Sequence, residues 1–349
     1  MKKSQIILLQ ILFAVIPALS SISLFAQSDT IRSFHIGLVY PISSNGLKAA
    51  EYSNRFSLHA IAGVSKNETV IAVSGAANIT RQNADGAVIS GLMNLIGNSA
   101  NGTQIAGFAN ITRNEAAGSG VAGFMNLAGS GKGVQIAGFA NVIKNDMKGL
   151  QVAGFLNKSR NTGSQVSGFM NVAKNVKGIQ LAGLINFADS SDYPIALLNF
   201  VKNGEKSVSL TLDETLTGMA TFRSGGKVLY GILGVGYNFK DDRRSVYAVE
   251  SGLGAHIPVA GSFKINTEIV NQFLSDFKKG DYAKYNLRIL PAYKFGNHFE
   301  IFGGPTINYI KHSKNKGYDY IDKFIWSKNG SRDFQGIYVG FNAGIQFVW

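Results

Sequence analysis

The five histidines are the first residues to consider for chemistry, because imidazole is the commonest metal ligand and a frequent general base in proteins. They are scattered along the chain, at His35, His59, His256, His298 and His312. None has a second ligand at the spacing that a metal motif requires. We therefore predict that the histidines line a lumen or a rim, and that the chain binds neither a metal nor a cofactor.

Carboxylates in the C-terminal third are the next candidates, since two of them could act as general acid and base. The polar side of the alternating runs there carries both acids and bases: Glu250, Glu268, Glu300, Lys264, Lys284 and Arg288. An interior salt-bridge network accounts for this mixture better than catalysis does. The segment 129–133 resembles a phosphate-binding loop only faintly, because no Ser or Thr follows Lys132. No catalytic residue is assigned, and the protein is predicted not to be an enzyme.

One short sequence motif recurs between about Val70 and Asn203. Its period determines where most other residues of that segment lie in the fold. Its fullest form is Gly-Val-Gln-Ile-Ala-Gly-Phe-Ala-Asn at 133–141. Copies end on an asparagine every 13–16 residues, at Asn78, Asn94, Asn110, Asn126, Asn141, Asn157, Asn171, Asn186 and Asn199. A fixed short period indicates a solenoid, and about 16 extended residues suffice for two strands and two corners. We predict a parallel β-solenoid of about nine coils.

The stacking of coils at about 4.7–4.9 Å brings equivalent side chains together. Stacked amides hydrogen-bond along the stack, so the nine asparagines are predicted to form an internal structural ladder that also satisfies corner carbonyls. Val134 and Ile136 alternate with other residues at the period of a strand with one buried side. Gly138 is placed at the corner, where glycine reaches positive φ cheaply. Phe139 and Asn141 are then expected to point inward as well.

A second row of the repeat is basic and follows the pattern Asn-x-x-Arg/Lys. Its members are Arg81, Arg113, Lys144, Arg160, Lys174 and Lys202. Equal charges at this spacing repel, so the column must be solvated. It is either a solubilising edge or a binding strip for anionic sugar or phosphate groups. An alternative in which each repeat is a membrane strand fails, because neighbouring barrel strands run antiparallel whereas a repeated phrase implies one direction.

After Gly204 the repeats end, and the sequence contains long runs in which apolar and polar residues alternate. Seven runs are predicted as strands: 215–223, 227–239, 244–258, 262–274, 283–294, 298–311 and 335–348. In the last run one face is apolar from Ile337 to Trp349, and the other carries Gly, Tyr, Asn and Gln. Strands with an apolar face towards the outside and a polar face towards the inside are typical of a transmembrane β-barrel. A soluble sandwich also alternates, but its strands are shorter, about five or six residues.

The first residues indicate export. Met1–Ala26 has the basic start, apolar middle and small-residue end of a signal peptide, predicted to be cleaved near Ala26. The chain has no cysteine, which excludes disulfides, thiolate metal sites and a lipid-anchored cysteine. The formal charge of +13 is dispersed, and an exported basic protein suits anionic lipid or glycan better than nucleic acid. Residues 27–66 are predicted to contribute one or two barrel strands, 67–204 the solenoid and 205–349 the barrel.

The last eight residues resemble the terminal β-signal of bacterial outer-membrane proteins. Asn342, Gly344, Phe347 and Trp349 match its polar, glycine, aromatic and terminal aromatic positions, although the usual last residue is Phe. The resemblance implies recognition by the barrel-assembly machinery and an outer-membrane location. With its Gly-x-Gln-x-Ala-Gly-Phe-x-Asn repeats, the whole chain also resembles a family of bacterial surface-repeat outer-membrane proteins. That family has no established chemistry.

The sequence therefore predicts an all-β protein: a transmembrane antiparallel barrel of 8–10 strands with an inserted solenoid. Eight strands, one of them from the N-terminus, would place the solenoid on the cell surface, and long loops favour this count. Ten strands would place it in the periplasm. The expected function is non-enzymatic display or binding of glycan, lipopolysaccharide or a partner at a Gram-negative outer membrane. A small pore or transporter is the alternative, and a lipid-modifying barrel enzyme is the third.

Overall fold

The computed structural model describes residues 30–240, 245–278, 282–313 and 320–349. The predicted signal peptide, Met1–Ala26, lies outside these residues. The described chain is all-β, with a parallel solenoid of about nine turns followed by a closed, eight-stranded antiparallel barrel, which confirms the predicted fold class. A short 3-10 helix occupies Gly46–Glu51. No helix within the described ranges has the length and apolar character needed to span a membrane.

Nineteen strands build the first sheet system. They are β1 Ile31–Val39, β2 Ile42–Ser43, β3 Ser53–Ser65, β4 Asn67–Ser74, β5 Ala77–Thr80, β6 Ala84–Ser90, β7 Met93–Ile96, β8 Ala100–Ala106, β9 Ala109–Ala122, β10 Met125–Ala137, β11 Ala140–Ile143, β12 Met147–Ala153, β13 Leu156–Lys158, β14 Asn161–Ser167, β15 Met170–Val172, β16 Asn175–Ala182, β17 Ile185–Ala188, β18 Ser190–Ile195 and β19 Leu198–Val201. Alternate strands pair in parallel, so that each coil stacks on the coil before it. Asn126, for example, is in register with Asn110 and Asn141.

The N-terminal strands belong to the solenoid and not to the barrel. β1 pairs in parallel with β3, from Ile31 opposite Ser53 to Val39 opposite Ala62, and β3 pairs in parallel with β4 and β5. The prediction that residues 27–66 supply barrel strands is therefore wrong. Alternation correctly indicated strands there, but it carries no information about the partner. The register shows that these strands extend the repeat stack at its N-terminal end.

The inward and outward faces of the repeat are partly the reverse of the prediction. Gln135 and Ala137 are buried, whereas Ile136 is 43% exposed and Phe139 is 40% exposed. In this part of the coil the buried positions hold amides and alanines, and the bulky side chains form rows outside. Larger apolar side chains, such as Ile143 and Met147, are buried near the other corner. Gly138 does lie at a corner, but it does not have a positive φ. Glycine is required because a Cβ there would collide with the carbonyl oxygen of Gly123 in the previous coil.

Eight strands close the barrel, and a ninth short strand extends it at one rim. They are β20 Lys206–Asp213, β21 Thr217–Gly225, β22 Leu229–Asn238, β23 Val246–Ala260, β24 Phe263–Ser275, β25 Tyr282–Phe295, β26 Phe299–Ser313, β27 Trp326–Asn329 and β28 Asp333–Val348. The seven predicted runs correspond to seven of these strands to within three residues. The eighth is β20, which closes the barrel by pairing with β28, Ser207 opposite Val348. The predicted alternative with one N-terminal strand is therefore wrong, although the count of eight is right.

The two ends of the barrel differ. The near end holds the start of β20, three tight turns and the C-terminus, where Trp349 N–H donates to the Lys206 carbonyl at 2.9 Å. The far end holds the long connection between β26 and β28. The solenoid joins the near end, because Asn199 Nδ2 donates to the Ser224 carbonyl of β21 at 3.0 Å. The solenoid and the C-terminus therefore share one side of the barrel.

Candidate functional site

A buried ion network fills the middle of the barrel. Arg288 Nη2 lies 2.8 Å from Glu250 Oε2, and Arg223 Nε lies 2.8 Å from Glu268 Oε1. Arg288 Nη1 links the two pairs by a 3.4 Å contact with Glu268 Oε2. Tyr230 Oη also donates to Glu268 at 3.0 Å, and these side chains are almost fully buried. The predicted interior salt-bridge network is confirmed, although sequence reasoning missed Arg223 and Tyr230 among its members.

Two further layers of charge close the lumen on either side of this network. Towards the near end, Lys264 Nζ contacts Glu300 at 2.9 Å and Glu205 at 3.0 Å. Towards the far end, Lys284 Nζ contacts Asp213 at 2.9 Å and Glu214 at 2.8 Å. An apolar cluster covers the lumen beyond Lys284, at the far end of the barrel, and it includes Tyr320 from the β26–β28 connection. Its buried members are Met219, Val246, Ala248, Leu274, Tyr282, Ile310, Tyr320 and Tyr338. A small barrel needs such filling, and the carboxylates are paired with cations instead of forming an acid–base couple.

The nine predicted asparagines form one continuous row through the solenoid. Each Nδ2 donates to the Oδ1 of the next asparagine, from Asn78 to Asn199, over 2.8–3.1 Å. Most also donate to a strand carbonyl, as Asn141 does to Val152 at 2.7 Å. All nine are buried. The row thus satisfies the carbonyls near the corner, which is the role that the repeat predicts. Sequence reasoning missed a parallel glutamine row, in which Gln165 donates to Gln151 at 2.9 Å and Gln180 to Gln165 at 3.1 Å.

The basic column lies at the other corner of the coil, opposite the corner that contains Gly138. Its side chains are exposed there, apart from the half-buried Arg81. It is interrupted, because Gly97, Gly129 and Asp189 occupy the equivalent position in three coils. Lys202 is paired with Asp189 at 2.6 Å. The longest uninterrupted run of cations is Lys144, Arg160 and Lys174. These three residues are the part of the column best suited to an anionic ligand.

The residues that resemble the assembly signal divide between the two faces of β28. Asn342 is buried in the lumen, and Gly344 lies beside β20. Phe347 and Trp349 are 42% and 52% exposed on the outer surface, with their ring centroids 6.1 Å apart. The alternation of the strand therefore leaves both aromatic residues of the signal accessible.

No protein-family model, no curated protein and no solved structure matches this chain. The resemblance to the surface-repeat family therefore stays a prediction.

A cavity of about 410 Å³ opens where the solenoid meets the near end of the barrel. It is lined by Asn203, Gly204, Glu205, Lys227, Lys294, Asn297, His298, Val348 and Trp349. A smaller cavity of about 200 Å³ shares Glu205, Lys227 and Lys294 with it. Lys227 and Lys294 give the larger cavity a basic character. Glu205 also lines this cavity and already binds Lys264.

A polar cluster caps the N-terminal end of the solenoid and was not foreseen. The Nε2 atoms of His35 and His59 lie 3.4 Å apart. Asn54 Nδ2 bridges His35 Nδ1 at 3.4 Å and Glu68 Oε1 at 3.5 Å, and Ser57 Oγ lies 2.8 Å from both carboxylate oxygens of Glu68. The pairing of β1 with β3 brings together histidines that are 24 residues apart, a distance at which spacing rules give no signal. Within the described ranges, no group of three or more His, Cys, Asp or Glu side chains could hold a metal ion.

Burial determines the ionisation of this cluster. It raises the pKa of Glu68 to about 7 against the hydrogen bonds from Ser57, Ser65 and Asn54. Burial, together with His59 and Arg32, lowers the pKa of His35 to about 4. Burial also lowers the pKa of His59. The cluster therefore favours neutral groups, and its stabilising contribution is sensitive to pH in both directions.

Replacing Glu68 with glutamine is expected to stabilise the cap at pH 8 and to change little at pH 5. A raised carboxyl pKa stabilises the fold below its unfolded value of 4.5, and that contribution is lost as the pH rises through about 7. A shift of this size corresponds to about 3 kcal/mol at alkaline pH. Hydrogen exchange of peptides from β3 and β4 measures the effect, with the exposed Glu51→Gln as matched control. Identical pH dependence in the two variants would contradict the assignment.

Proposed function

We propose that this protein is a non-enzymatic bacterial outer-membrane protein, whose barrel anchors the repeat solenoid as a structural and binding module. The observation that carries the proposal is the inverted distribution of side chains in the barrel. Charged residues such as Glu268 and Arg288 are inside, while Ile269 is 70% exposed and Val235 is 62% exposed. In water an apolar exterior of this size is unfavourable by roughly 25 cal/mol for each Å². Lipid removes that cost.

Aromatic residues at both rims support the same interpretation. Phe299 and Trp349 are exposed at the near end, and Tyr247 and Tyr285 at the far end. Rings at both borders of an apolar band are typical of barrels that cross a bilayer. The partners that follow are outer-membrane lipid and, from the resemblance of the last residues, the barrel-assembly machinery.

The filled lumen argues against a pore or transporter. Three layers of paired charge and an apolar cluster occupy the interior, and the connection that carries Tyr320 packs over the far end. Conduction would require these layers to separate.

We infer the side of the membrane from the shared position of the solenoid and the C-terminus. In barrels that end on a β-signal, the C-terminus and the short turns face the periplasm, and the long loops face outward. The solenoid is at the same end as Trp349, so we propose a periplasmic solenoid. This reverses the expectation of surface display that the strand count had favoured. An anionic glycan at the basic column is the ligand class that fits this location.

Membrane-impermeant maleimide labelling tests both the membrane location and its orientation. The chain has no cysteine, and Lys148 in the solenoid and Lys323 beyond the far end are both exposed. In a Gram-negative host, Lys323→Cys is expected to react on intact cells, and Lys148→Cys only after the outer membrane is permeabilised. Reaction of Lys148→Cys on intact cells would overturn the periplasmic assignment. Recovery of both variants as free periplasmic protein would overturn the membrane assignment.

A further inference from the structure

One corner of the solenoid presents an apolar edge that no other segment of the described chain covers. We define the apolar edge as the corner phenylalanines and the aliphatic residues that lie just before each corner glycine on the outer face. The phenylalanine row comprises Phe108, Phe124, Phe139, Phe155 and Phe169. The aliphatic row includes Ile105, Val121, Ile136 and Leu181, each 38–43% exposed. Soluble monomers rarely expose a contiguous patch of this kind without a function.

The geometry of the phenylalanine row limits what can bind there. Successive ring centroids lie 4.7–5.0 Å apart, and the rings are within 5° of parallel. Within the row, each ring face is therefore covered by a neighbouring ring. The row continues with Leu92 before Phe108 and Leu184 after Phe169 in the adjacent coils, so it presents mainly ring edges. Sugars bind to free aromatic faces, which this row does not offer. A glycan is a poor fit for this edge.

The backbone of the edge offers no hydrogen bonds either. The Gly138 N–H donates to the Ala122 carbonyl at 3.1 Å, and the Phe139 N–H donates to the Phe124 carbonyl at 2.9 Å. An added peptide strand needs free backbone groups along a sheet edge, and the stacking of coils has used these groups. Hydrocarbon is the class of ligand that requires no polar partner.

Aromatic contacts connect the last coils of the solenoid to the outer surface of the barrel. Phe187 stacks on Phe200 with their centroids 5.2 Å apart. Phe200 then lies 6.4 Å from Phe222 on β21, and Phe222 lies 6.4 Å from Trp349. Phe222 alternates with lumen-facing residues, so it points outward. Phe187 and Phe200 each follow a ladder asparagine by one residue, so they lie on the outer face of the short strand after the corner, beside the apolar edge. The last corner itself reaches the barrel, because the carbonyls of Ala196 and Leu197 lie against Gly231 of β22.

We propose that the apolar edge binds the acyl chains of phospholipids from the membrane that holds the barrel. The inference rests on the proposed function, because the barrel must be in lipid for its exterior to supply those chains. Lys144 and Arg160 lie exposed on the opposite edge, where they stay in water. The cross-section of the solenoid is therefore amphipathic, with hydrocarbon on one edge and solvent on the other.

Site-directed spin labelling of the full-length protein tests this proposal, and the cysteine-free chain makes single-site labelling direct. Nitroxides are placed at Phe139→Cys on the apolar edge, Lys144→Cys on the basic edge and Val249→Cys on the barrel exterior. The protein is reconstituted into vesicles of phosphatidylethanolamine and phosphatidylglycerol. The ratio of collisions with oxygen to collisions with a water-soluble nickel chelate is expected to be several-fold higher at 139 and 249 than at 144. Ile136→Cys provides a second reporter on the same edge.

The barrel site separates the two hypotheses. If 249 reports lipid while 139 and 136 report water, the apolar edge does not bind acyl chains and the barrel anchor stands. If 249 also reports water, the membrane anchor itself is wrong. If labels at 139 and 136 are shielded from both reagents and show dipolar broadening between molecules, a second copy covers the edge and the lipid proposal is overturned.

Discussion

Replacing Glu268 with glutamine is expected to destabilise the barrel by about 3–5 kcal/mol, the usual cost of removing one partner from a buried ion pair. Glu268 accepts hydrogen bonds from Arg223, Arg288 and Tyr230, and it separates the two guanidinium groups. Glutamine keeps the size of the side chain but leaves two cations close together with one fewer anion. The penalty is high because Glu268, Arg223 and Arg288 are almost fully buried, so bulk water does not screen the two cations.

The temperature at which the folded band disappears in detergent gels measures this loss, because closed barrels migrate differently before and after heating. Glu115→Gln serves as the control, since Glu115 is exposed on the solenoid and the change in charge is the same. A Glu268→Gln protein that converts at the same temperature as the control would show that the network does not hold the barrel together.

Replacing Asn141 with leucine is expected to cost about 3 kcal/mol or more and to open the solenoid locally. Asn141 donates to Asn157 at 2.9 Å and to Val152 at 2.7 Å, and it accepts from Asn126 at 2.8 Å. Leucine removes all three hydrogen bonds and leaves the buried Asn157 Oδ1 without its donor, whereas Asn126 keeps its bond to the Ile136 carbonyl. A lost bond or an unsatisfied buried group costs ~1–3 kcal/mol. The break should also weaken the neighbouring rungs, because chains of hydrogen bonds polarise one another.

Asn145→Leu is the matched control, because Asn145 lies in the same coil but is exposed on the basic edge. Hydrogen exchange across β10 to β13 is expected to accelerate in the Asn141 variant and to stay unchanged in the Asn145 variant. Equal protection in the two proteins would remove the ladder as a source of stability.

Periodicity predicted the elements that depend on local pattern. The spacing of asparagines from 78 to 199 gave the solenoid and its ladder, because identical residues at a fixed period must stack. The alternation in 335–348 gave β28, because a long strand with one apolar face is distinctive. Both signals are contained within a short stretch of the chain.

The sequence alone did not predict which strands pair with each other or which side chains lie inside a coil. Nothing in β1 indicates that it pairs with β3, so the contact between His35 and His59 and the burial of Glu68 were missed. Alternation also does not say which face is inside. The structure has Gln135 and Ala137 inside and Ile136 and Phe139 outside, while the interior near the basic corner holds Ile143 and Met147.

The asparagine row has a direction as well as a position. Every side-chain amide from Asn78 to Asn186 donates towards the barrel and accepts from the N-terminal side. Aligned amide dipoles add up as they do along a helix axis, so the row is a macrodipole with its positive pole at Asn199. The carbonyls of Ala196 and Ser224 receive that pole, and the Ser74 hydroxyl donates to Asn78 at the negative pole. A repeat can therefore be added or deleted in whole coils, but its polarity cannot be reversed without setting two like poles against each other.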